Sequence, residues 1–156
     1  MANLTSYYSR TGSLGNQNLY AGGYVIDDVA IPAGTLLNNG DALDIEVVFR
    51  TAFNGASGKR FNLYVLGTVV YDSGSWAGNG HASYLKCRVI RTSATKASVF
   101  GFVKSDSAAR EQIIDATVTA DNSLDTGQNK LQMVAIGTSN LNDMYVKMTT
   151  VDKVPV

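Results

Sequence analysis

The residues best suited to catalysis are few in this chain of 156 residues, which has His81 as its only histidine and Cys87 as its only cysteine. A serine or cysteine nucleophile normally needs a histidine base, which an acidic residue orients. No such acid accompanies His81 in the sequence, and a lone histidine after a glycine-rich loop is typical of a surface residue. The sequence therefore predicts a protein that is not an enzyme.

Metal ions are bound by several clustered ligands, and the carboxylates of this chain are scattered. Residues 121–127, which read DNSLDTG, approach the acidic pattern of a calcium loop only faintly. The other acidic groupings are Asp27 with Asp28, and Asp41 with Asp44 and Glu46. The sequence predicts neither a metal site nor a bound cofactor.

Cys87 lies on a predicted strand in phase with Leu85 and Val89, so burial as a small apolar residue is the favoured interpretation. The alternative is a reactive thiol. Lys86 and Arg88 flank the cysteine and would lower its pKa if the thiol were exposed, but they point to the other face.

Charge is sparse and balanced: there are 13 basic and 13 acidic residues, and charged residues make up 17% of the chain. A typical share is about 25%. Part of the surface is therefore expected to be covered by other subunits. The densest basic cluster, Lys86, Arg88 and Arg91, suits a solvated or interface face of a strand, so no nucleic-acid partner is predicted. No apolar run approaches the roughly 18 residues of a membrane span, which predicts no membrane insertion.

Apolar residues alternate with polar ones through most of the sequence, and turn residues interrupt the alternation about every 10–15 residues. This pattern predicts an all-β protein of about nine or ten strands, arranged as an antiparallel β-sandwich of the jelly-roll type. The predicted organisation is an N-terminal arm or loose strand (residues 1–18), a sandwich domain (19–152) and a C-terminal tail (153–156).

The stretch 38–66 contains two alternating runs around a glycine-rich loop, and it predicts a β-hairpin. One face of each run is apolar, and the predicted strand around Cys87 has a similar face. These faces are expected to line one core, with the members Leu43, Ile45, Val47, Phe49, Phe61, Leu63, Val65, Leu85, Cys87 and Val89.

The run 95–104 is apolar on both faces. Ala97, Val99 and Val103 share one face, and Phe100 and Phe102 share the other. A sandwich has one inner face per sheet, so the second face must be covered by a loop, an arm or another subunit.

Three other aromatic residues are candidate contact residues. Tyr7 and Tyr8 lie in the predicted N-terminal arm and are placed to dock against a neighbour. Trp76 lies in a long glycine- and serine-rich loop, where it is either a lid on the core or an anchor in an interface. The predicted interface residues are Tyr7, Tyr8, Trp76, Phe100 and Phe102.

Residues 31–41 read IPAGTLLNNGD, and a recognisable series of short motifs follows them. The series is Leu43-Asp44-Ile45, Lys59-Arg60-Phe61, Gly67-Thr68-Val69-Val70-Tyr71-Asp72-Ser73-Gly74 and Arg88-Val89-Ile90-Arg91-Thr92. In this order the motifs resemble a family of bacteriophage virion proteins, over residues 24–92. The resemblance implies a jelly-roll or tumour-necrosis-factor-like sandwich that forms trimers, as found in capsid knobs and tail-fibre tips.

The function that follows from the resemblance is that of a virion structural protein, assembled in the host cytoplasm. The favoured interpretation is a homotrimeric capsid decoration, or cement, protein that binds the major capsid protein. One alternative is the tip domain of a tail fibre, which binds a host cell-surface receptor or glycan. A third is a carbohydrate-binding, lectin-like or carbohydrate-active jelly-roll domain.

Overall fold

The computed structural model describes residues 5–14, 18–20, 23–51, 60–75, 80–106, 111–127, 129–136 and 144–154. These residues form eleven strands. The strands are β1 (Thr5–Leu14), β2 (Asn18–Tyr20), β3 (Gly23–Ala30), β4 (Ala42–Thr51), β5 (Arg60–Val65), β6 (Thr68–Asp72), β7 (Ala82–Arg91), β8 (Lys96–Ser105), β9 (Gln112–Thr119), β10 (Lys130–Ile136) and β11 (Met144–Val154).

The strands build two sheets that pack face to face. One sheet has six strands in the order β1-β11-β4-β7-β8-β9, and the other has five in the order β2-β3-β10-β5-β6. Every neighbouring pair is antiparallel. The predicted fold class is confirmed: the protein is an all-β, antiparallel β-sandwich of the jelly-roll type. No helix in the described part of the chain is long and apolar enough to cross a membrane.

The N-terminal segment differs from the free arm that was one interpretation of its sequence. Residues 5–14 form β1, which pairs with β11 at one edge of the six-stranded sheet. At the other end of the chain, β11 extends to Val154, so it includes the first two residues of the predicted tail. The backbone N–H and C=O groups along the edge of β11 supply the ladder with which the polar N-terminal segment pairs.

The predicted hairpin within residues 38–66 is wrong. Strand β4 lies between β11 and β7 in one sheet, whereas β5 lies between β10 and β6 in the other. The two runs face each other across the core, where the rings of Phe49 and Phe61 stack with centroids 3.9 Å apart and an interplanar angle of 8°. The alternation of apolar residues shows which face of a strand is buried. The same alternation is expected whether two strands hydrogen-bond within one sheet or pack against each other from two sheets.

The predicted core is confirmed. All ten residues expected to line one core are buried within a single cluster. In β3 the alternation of buried and exposed side chains is interrupted, because Ile26, Asp27 and Val29 are all buried. The cause is a bulge in the ladder between β3 and β10 at this point. The buried Asp27 carboxylate accepts a 2.9 Å hydrogen bond from the Thr149 hydroxyl of the facing sheet.

Candidate functional site

The clearest candidate site lies on the outer face of the six-stranded sheet, which points away from the core. Side chains on β4, β7 and β8 alternate between buried and more exposed positions. The more exposed set forms two rows across the strands, each with a carboxylate, a cation and a phenylalanine in turn. The rows are Asp44, Arg88, Phe100 and Glu46, Lys86, Phe102. Each row combines charge, hydrogen-bonding groups and an aromatic ring.

The charges in these rows are paired with each other. Arg88 Nε and Nη2 donate to the two Asp44 carboxylate oxygens at 2.6 and 2.7 Å. Lys86 Nζ donates to Glu46 Oε1 at 2.6 Å. The Arg88 hydrogen bond holds the pKa of Asp44 below its ordinary value, and the bond to Glu46 raises the pKa of Lys86. The surface is therefore locally neutral and geometrically fixed.

The aromatic part of the surface continues onto β9. Phe100 is 48% exposed and Ile113 is 75% exposed, and Ile113 is the register partner of Phe102 on β8. The rings of Phe102 and Tyr84 are 6.1 Å apart, in a tilted arrangement. Burial is the main cause that raises the pKa of Tyr84, with the nearby Glu46 carboxylate second. We call Tyr84, Phe100, Phe102 and Ile113 the outer patch.

A cleft of about 220 Å³ opens between the two rows, lined by Asp44, Lys86, Arg88, Phe100 and Phe102. Gly101 lies between the phenylalanines and permits a close approach of β8 to β7. A Cβ atom on Gly101 would lie 2.2 Å from the Lys86 carbonyl oxygen and 2.5 Å from Cys87 Cβ. The glycine therefore sets the spacing at the centre of the site.

Cys87 lies beneath this cleft, on the core side of β7. It is 2% exposed, which confirms the predicted burial. Burial raises the pKa of its thiol to about 12, so the thiol stays protonated at neutral pH. The alternative interpretation of a reactive cysteine is therefore wrong.

The structure gives His81 an acidic partner that the sequence did not indicate. His81 Nδ1 lies 3.0 Å from Asp106 Oδ1, and the other carboxylate oxygen of Asp106 accepts the backbone N–H of Ala82 at 2.9 Å. The two residues meet where β7 begins and β8 ends. This pair fixes the loop ends at one corner of the sheet, and both side chains remain partly exposed.

Within the ranges that the structure describes, no group of three or more His, Cys, Asp or Glu side chains is placed to hold a metal ion. In the segment 121–127, Leu124 is buried in the core, and the Asn129 amide donates to the Ser123 carbonyl at 3.0 Å. These contacts give the segment a structural role as a turn.

The predicted interface residues have different outcomes. Phe100 and Phe102 are brought together on the outer face, as expected from their spacing. Tyr7 and Tyr8 lie on β1, but their side chains are outside the described part of the structure, as is Trp76. Their roles in an interface stay predictions.

Sequence reasoning missed Ile113, Tyr84 and the pairing of the charged rows. A signal for Ile113 was present, because placing Ile114 inward requires its neighbour to point outward. The charge pairs depend on which strands are adjacent, which the alternating pattern does not specify. Asp44 and Arg88 are 44 residues apart in sequence.

No protein-family model and no curated protein matches the sequence. Several solved structures resemble the fold at low similarity. The CBM2 module of the evolved Dit of Lactobacillus casei BL23 phage J-1 is 11% identical, with a TM-score of 0.36, over 80% of this chain and 67% of the other. Lectin I-B4 from Griffonia simplicifolia, in its metal-free form, is 10% identical, with a TM-score of 0.38, over 98% and 93% of the two chains.

A third structure, the xylan β-1,4-xylosidase from Bacillus halodurans C-125, is 12% identical, with a TM-score of 0.40. The match covers 80% of this chain, which spans about a third (32%) of the xylosidase chain. All three neighbours contain β-sandwich folds. At such low identity and structural similarity, these proteins indicate nothing about the function of this chain.

Proposed function

We propose that this chain is a non-enzymatic structural protein of a bacteriophage virion, and that it acts as a capsid decoration protein. Three copies associate through the outer patch, and the resulting homotrimer binds the major capsid protein. The proposal joins the sequence resemblance to virion proteins with the geometry of the outer face. In this proposal the protein is located in the virion.

The observation that carries the proposal is the exposure of large apolar side chains on neighbouring strands. Phe100 and Ile113 are 48% and 75% exposed, and Phe102 lies between them on the same face. Contiguous apolar patches on a soluble protein mark sites of contact with other molecules. An aromatic ring that becomes fully buried is also a frequent source of binding energy.

The paired charges beside the patch support contact with another protein. An unpaired charge is costly to bury at an interface, whereas a hydrogen-bonded pair keeps its partner when water is removed. Asp44 holds both nitrogens of the Arg88 fork, and Glu46 holds Lys86. The outer face can therefore be covered without leaving these side chains unsatisfied.

Sedimentation equilibrium at micromolar concentration tests the assembly. We expect the wild-type mass to be a multiple of three protomers and Phe100→Ser to remove that threefold association. Loss of a buried aromatic anchor weakens binding by about 2 kcal/mol or more. The matched control is Ser98→Ala, on the same face of the same strand. A wild-type monomer, or a Phe100→Ser variant that stays trimeric, contradicts the proposed trimer.

Co-sedimentation with expanded phage heads tests the partner. The wild-type trimer is expected to pellet with the heads, and the Phe100→Ser variant to remain largely in the supernatant because it loses multivalent binding. Ser98→Ala should behave as the wild type. A correctly assembled trimer that ignores heads and binds host cells would favour the tail-fibre interpretation.

The cleft favours a second candidate function, the binding of a glycan. Phenylalanine rings line the cleft beside the Asp44–Arg88 pair, which offers both donors and acceptors. Sugar rings combine apolar C–H faces with hydroxyl groups, and this combination suits a site of mixed apolar and polar character. Titration calorimetry with soluble host glycans is the test. Saturable binding that Phe100→Ala and Asp44→Asn both abolish supports this function, and no binding rejects it.

A further inference from the structure

The far edge of strand β9 ends the six-stranded sheet. Within the described part of the chain no strand hydrogen-bonds to this edge, although β6 of the facing sheet lies close to β9. A free edge presents a row of backbone N–H and C=O groups that can pair with another strand. The edge of β9 extends over eight residues, QIIDATVT. This edge is adjacent to the outer patch, because Ile113 belongs to both.

The two edges of this sheet differ in the features that usually prevent pairing. At the opposite edge, the ladder between β1 and β11 is shifted at two places. The ladder between β8 and β9 has no shift from Lys96↔Thr119 to Val103↔Gln112. Neither edge strand contains proline or lysine, and Asp115 is the only charged residue of β9, so the unshifted ladder is what distinguishes this edge. Of the two edges of this sheet, the β9 edge is therefore better suited to pair with another strand.

The hydrogen bonding shows which residues face outward along the edge. The Ala120 N–H donates to the Thr95 carbonyl at 2.8 Å, so these opposite residues form a hydrogen-bonded pair. In an antiparallel ladder such pairs alternate with non-hydrogen-bonded pairs. With no bulge, the backbone groups of Gln112, Ile114, Ala116 and Val118 therefore bond to β8. Those of Ile113, Asp115, Thr117 and Thr119 face the free edge.

We infer that this edge binds a second copy of the same chain: two β9 strands pair antiparallel about a two-fold axis beside Ala116, which joins two sheets into one. In this register Asp115 is opposite Thr117 of the second copy, and Ile113 is opposite its Thr119. Every edge-facing residue of one strand then meets an edge-facing residue of the other. An axis of this kind requires only one self-complementary surface.

Charge selects this register over its neighbours. A shift that centres the axis on Asp115 would bring the two Asp115 carboxylates opposite each other, which is unfavourable. A shift that centres it on Thr117 leaves Ile113 beyond the end of the partner strand. The axis at Ala116 avoids both problems. Asp115, the only charged residue of β9, is then opposite a neutral threonine, and Ile113 is opposite Thr119 within the partner strand.

The side chains of the chosen register also match on both faces of the sheet. On the core side, Ile114 is opposite Val118 of the second copy, and both residues are buried in the single chain. On the outer side, the exposed Ile113 gains the β-branched Thr119 as a neighbour. Cross-strand pairs of this kind stabilise a sheet.

This two-fold contact is independent of the proposed trimer, and the two have different stoichiometric signatures. The β9 contact multiplies the mass of the assembly by two, whereas the outer-patch contact multiplies it by three. If the two-fold and three-fold axes intersect, the two contacts together give a closed hexamer. The measured mass therefore shows which contact is lost: loss of the β9 contact removes the factor of two, and loss of the outer-patch contact removes the factor of three.

Sedimentation equilibrium of Thr117→Pro tests the contact. Proline removes an edge-facing N–H that β8 does not use, so the sheet within one chain should be retained while the mass is halved. Thr117→Val keeps the N–H and serves as the matched control. An odd number of wild-type protomers, or an unchanged mass in a folded Thr117→Pro variant, would overturn the inference.

Charged variants at the same position test the register without proline. Thr117→Asp places a carboxylate opposite Asp115 of the second copy, so the two-fold dissociation constant should rise at least tenfold. Thr117→Lys places a cation there, so the dissociation constant should fall. If both variants change the affinity in the same direction, Asp115 is not opposite Thr117 and the register is wrong.

A cysteine on the axis supplies the most local evidence. Opposite residues in a non-hydrogen-bonded pair have Cα atoms about 4.5 Å apart, which lies within the disulfide range of roughly 4.4–6.8 Å. Oxidised Ala116→Cys should therefore run as a covalent dimer, whereas Ala94→Cys, on an exposed turn, should not. A monomeric Ala116→Cys band under these conditions contradicts the two-fold axis.

Discussion

Both faces of strand β8 carry apolar side chains, but the surroundings of these side chains are very different. On the inner face, Ala97, Val99 and Val103 are buried within the core of the sandwich. On the outer face, Phe100 is about half exposed, and the partly buried Phe102 ring lies in a tilted arrangement with the Tyr84 ring. The described part of the chain buries the apolar side chains of the inner face, but it leaves those of the outer face partly exposed to solvent.

This difference separates two roles that apolar residues have in the protein. Residues on the inner face stabilise the fold, so their loss should lower the free energy of unfolding. Residues of the outer patch stabilise contacts with other molecules, so their loss should weaken association and leave folding almost unchanged. Each of the following variants is chosen to break or sharpen that contrast.

The largest effect is expected for Phe49→Ala. The Phe49 ring is fully buried and stacks on Phe61 between the sheets, so truncation leaves a cavity and should cost about 3–5 kcal/mol of unfolding free energy. Urea unfolding measures this loss. The matched control, Phe100→Ala on the outer face, should change the unfolding free energy of the monomer by less than about 0.5 kcal/mol. Equal losses in the two variants would remove the distinction between the faces.

An intermediate effect is expected for Gly101→Ala. The new methyl group would meet the Lys86 carbonyl and Cys87 at distances that no normal contact allows, so β8 must move away from β7. We expect a loss of about 1–3 kcal/mol in urea unfolding, as for other overpacked sites. Ser98→Ala, on the same strand, is the control. An unchanged stability would show that the close approach of the two strands is not required.

The smallest effect is expected for Asp44→Asn. The folded-state pKa of Asp44 is lowered by Arg88, so its ion pair stabilises the protein above the ordinary carboxyl pKa of about 3.9 and loses this effect as the pH falls through the lowered value. Because both side chains are partly exposed, the loss at neutral pH should stay below about 1 kcal/mol. Urea unfolding between neutral and acidic pH measures it.

The control for Asp44→Asn is Asp121→Asn, on an exposed loop. The stability difference between Asp44→Asn and the wild type should shrink toward acidic pH, where the wild-type carboxyl becomes protonated. A difference that is constant with pH would mean that the ion pair is not its source.

Much of the fold could be predicted from the alternation of apolar residues, because that alternation reflects burial directly. The alternation alone predicts that Phe49, Phe61 and Cys87 share one core, whichever sheet each strand belongs to. It could not show that β4 and β5 face each other rather than pair, because both arrangements bury the same sides. The sheet order depends on long-range packing between distant parts of the sequence.

The candidate site was predictable only in its local part. Phe100 and Phe102 are two residues apart on one strand, so their shared face follows from the period of a strand. Ile113 reaches them only because β9 pairs with β8, and Arg88 meets Asp44 only because β7 pairs with β4. His81 and Asp106 meet for the same reason, across 25 residues of sequence.

The central claim is that the outer patch is covered when the protein assembles, and hydroxyl-radical footprinting tests this most directly. The reactivity of Phe100 and of Phe49 would be compared in concentrated, assembled protein and in protein diluted until it dissociates. Phe49 should be protected in both states, and Phe100 should become protected only in the assembled state. If Phe100 is equally reactive before and after assembly, the outer patch is not the contact surface.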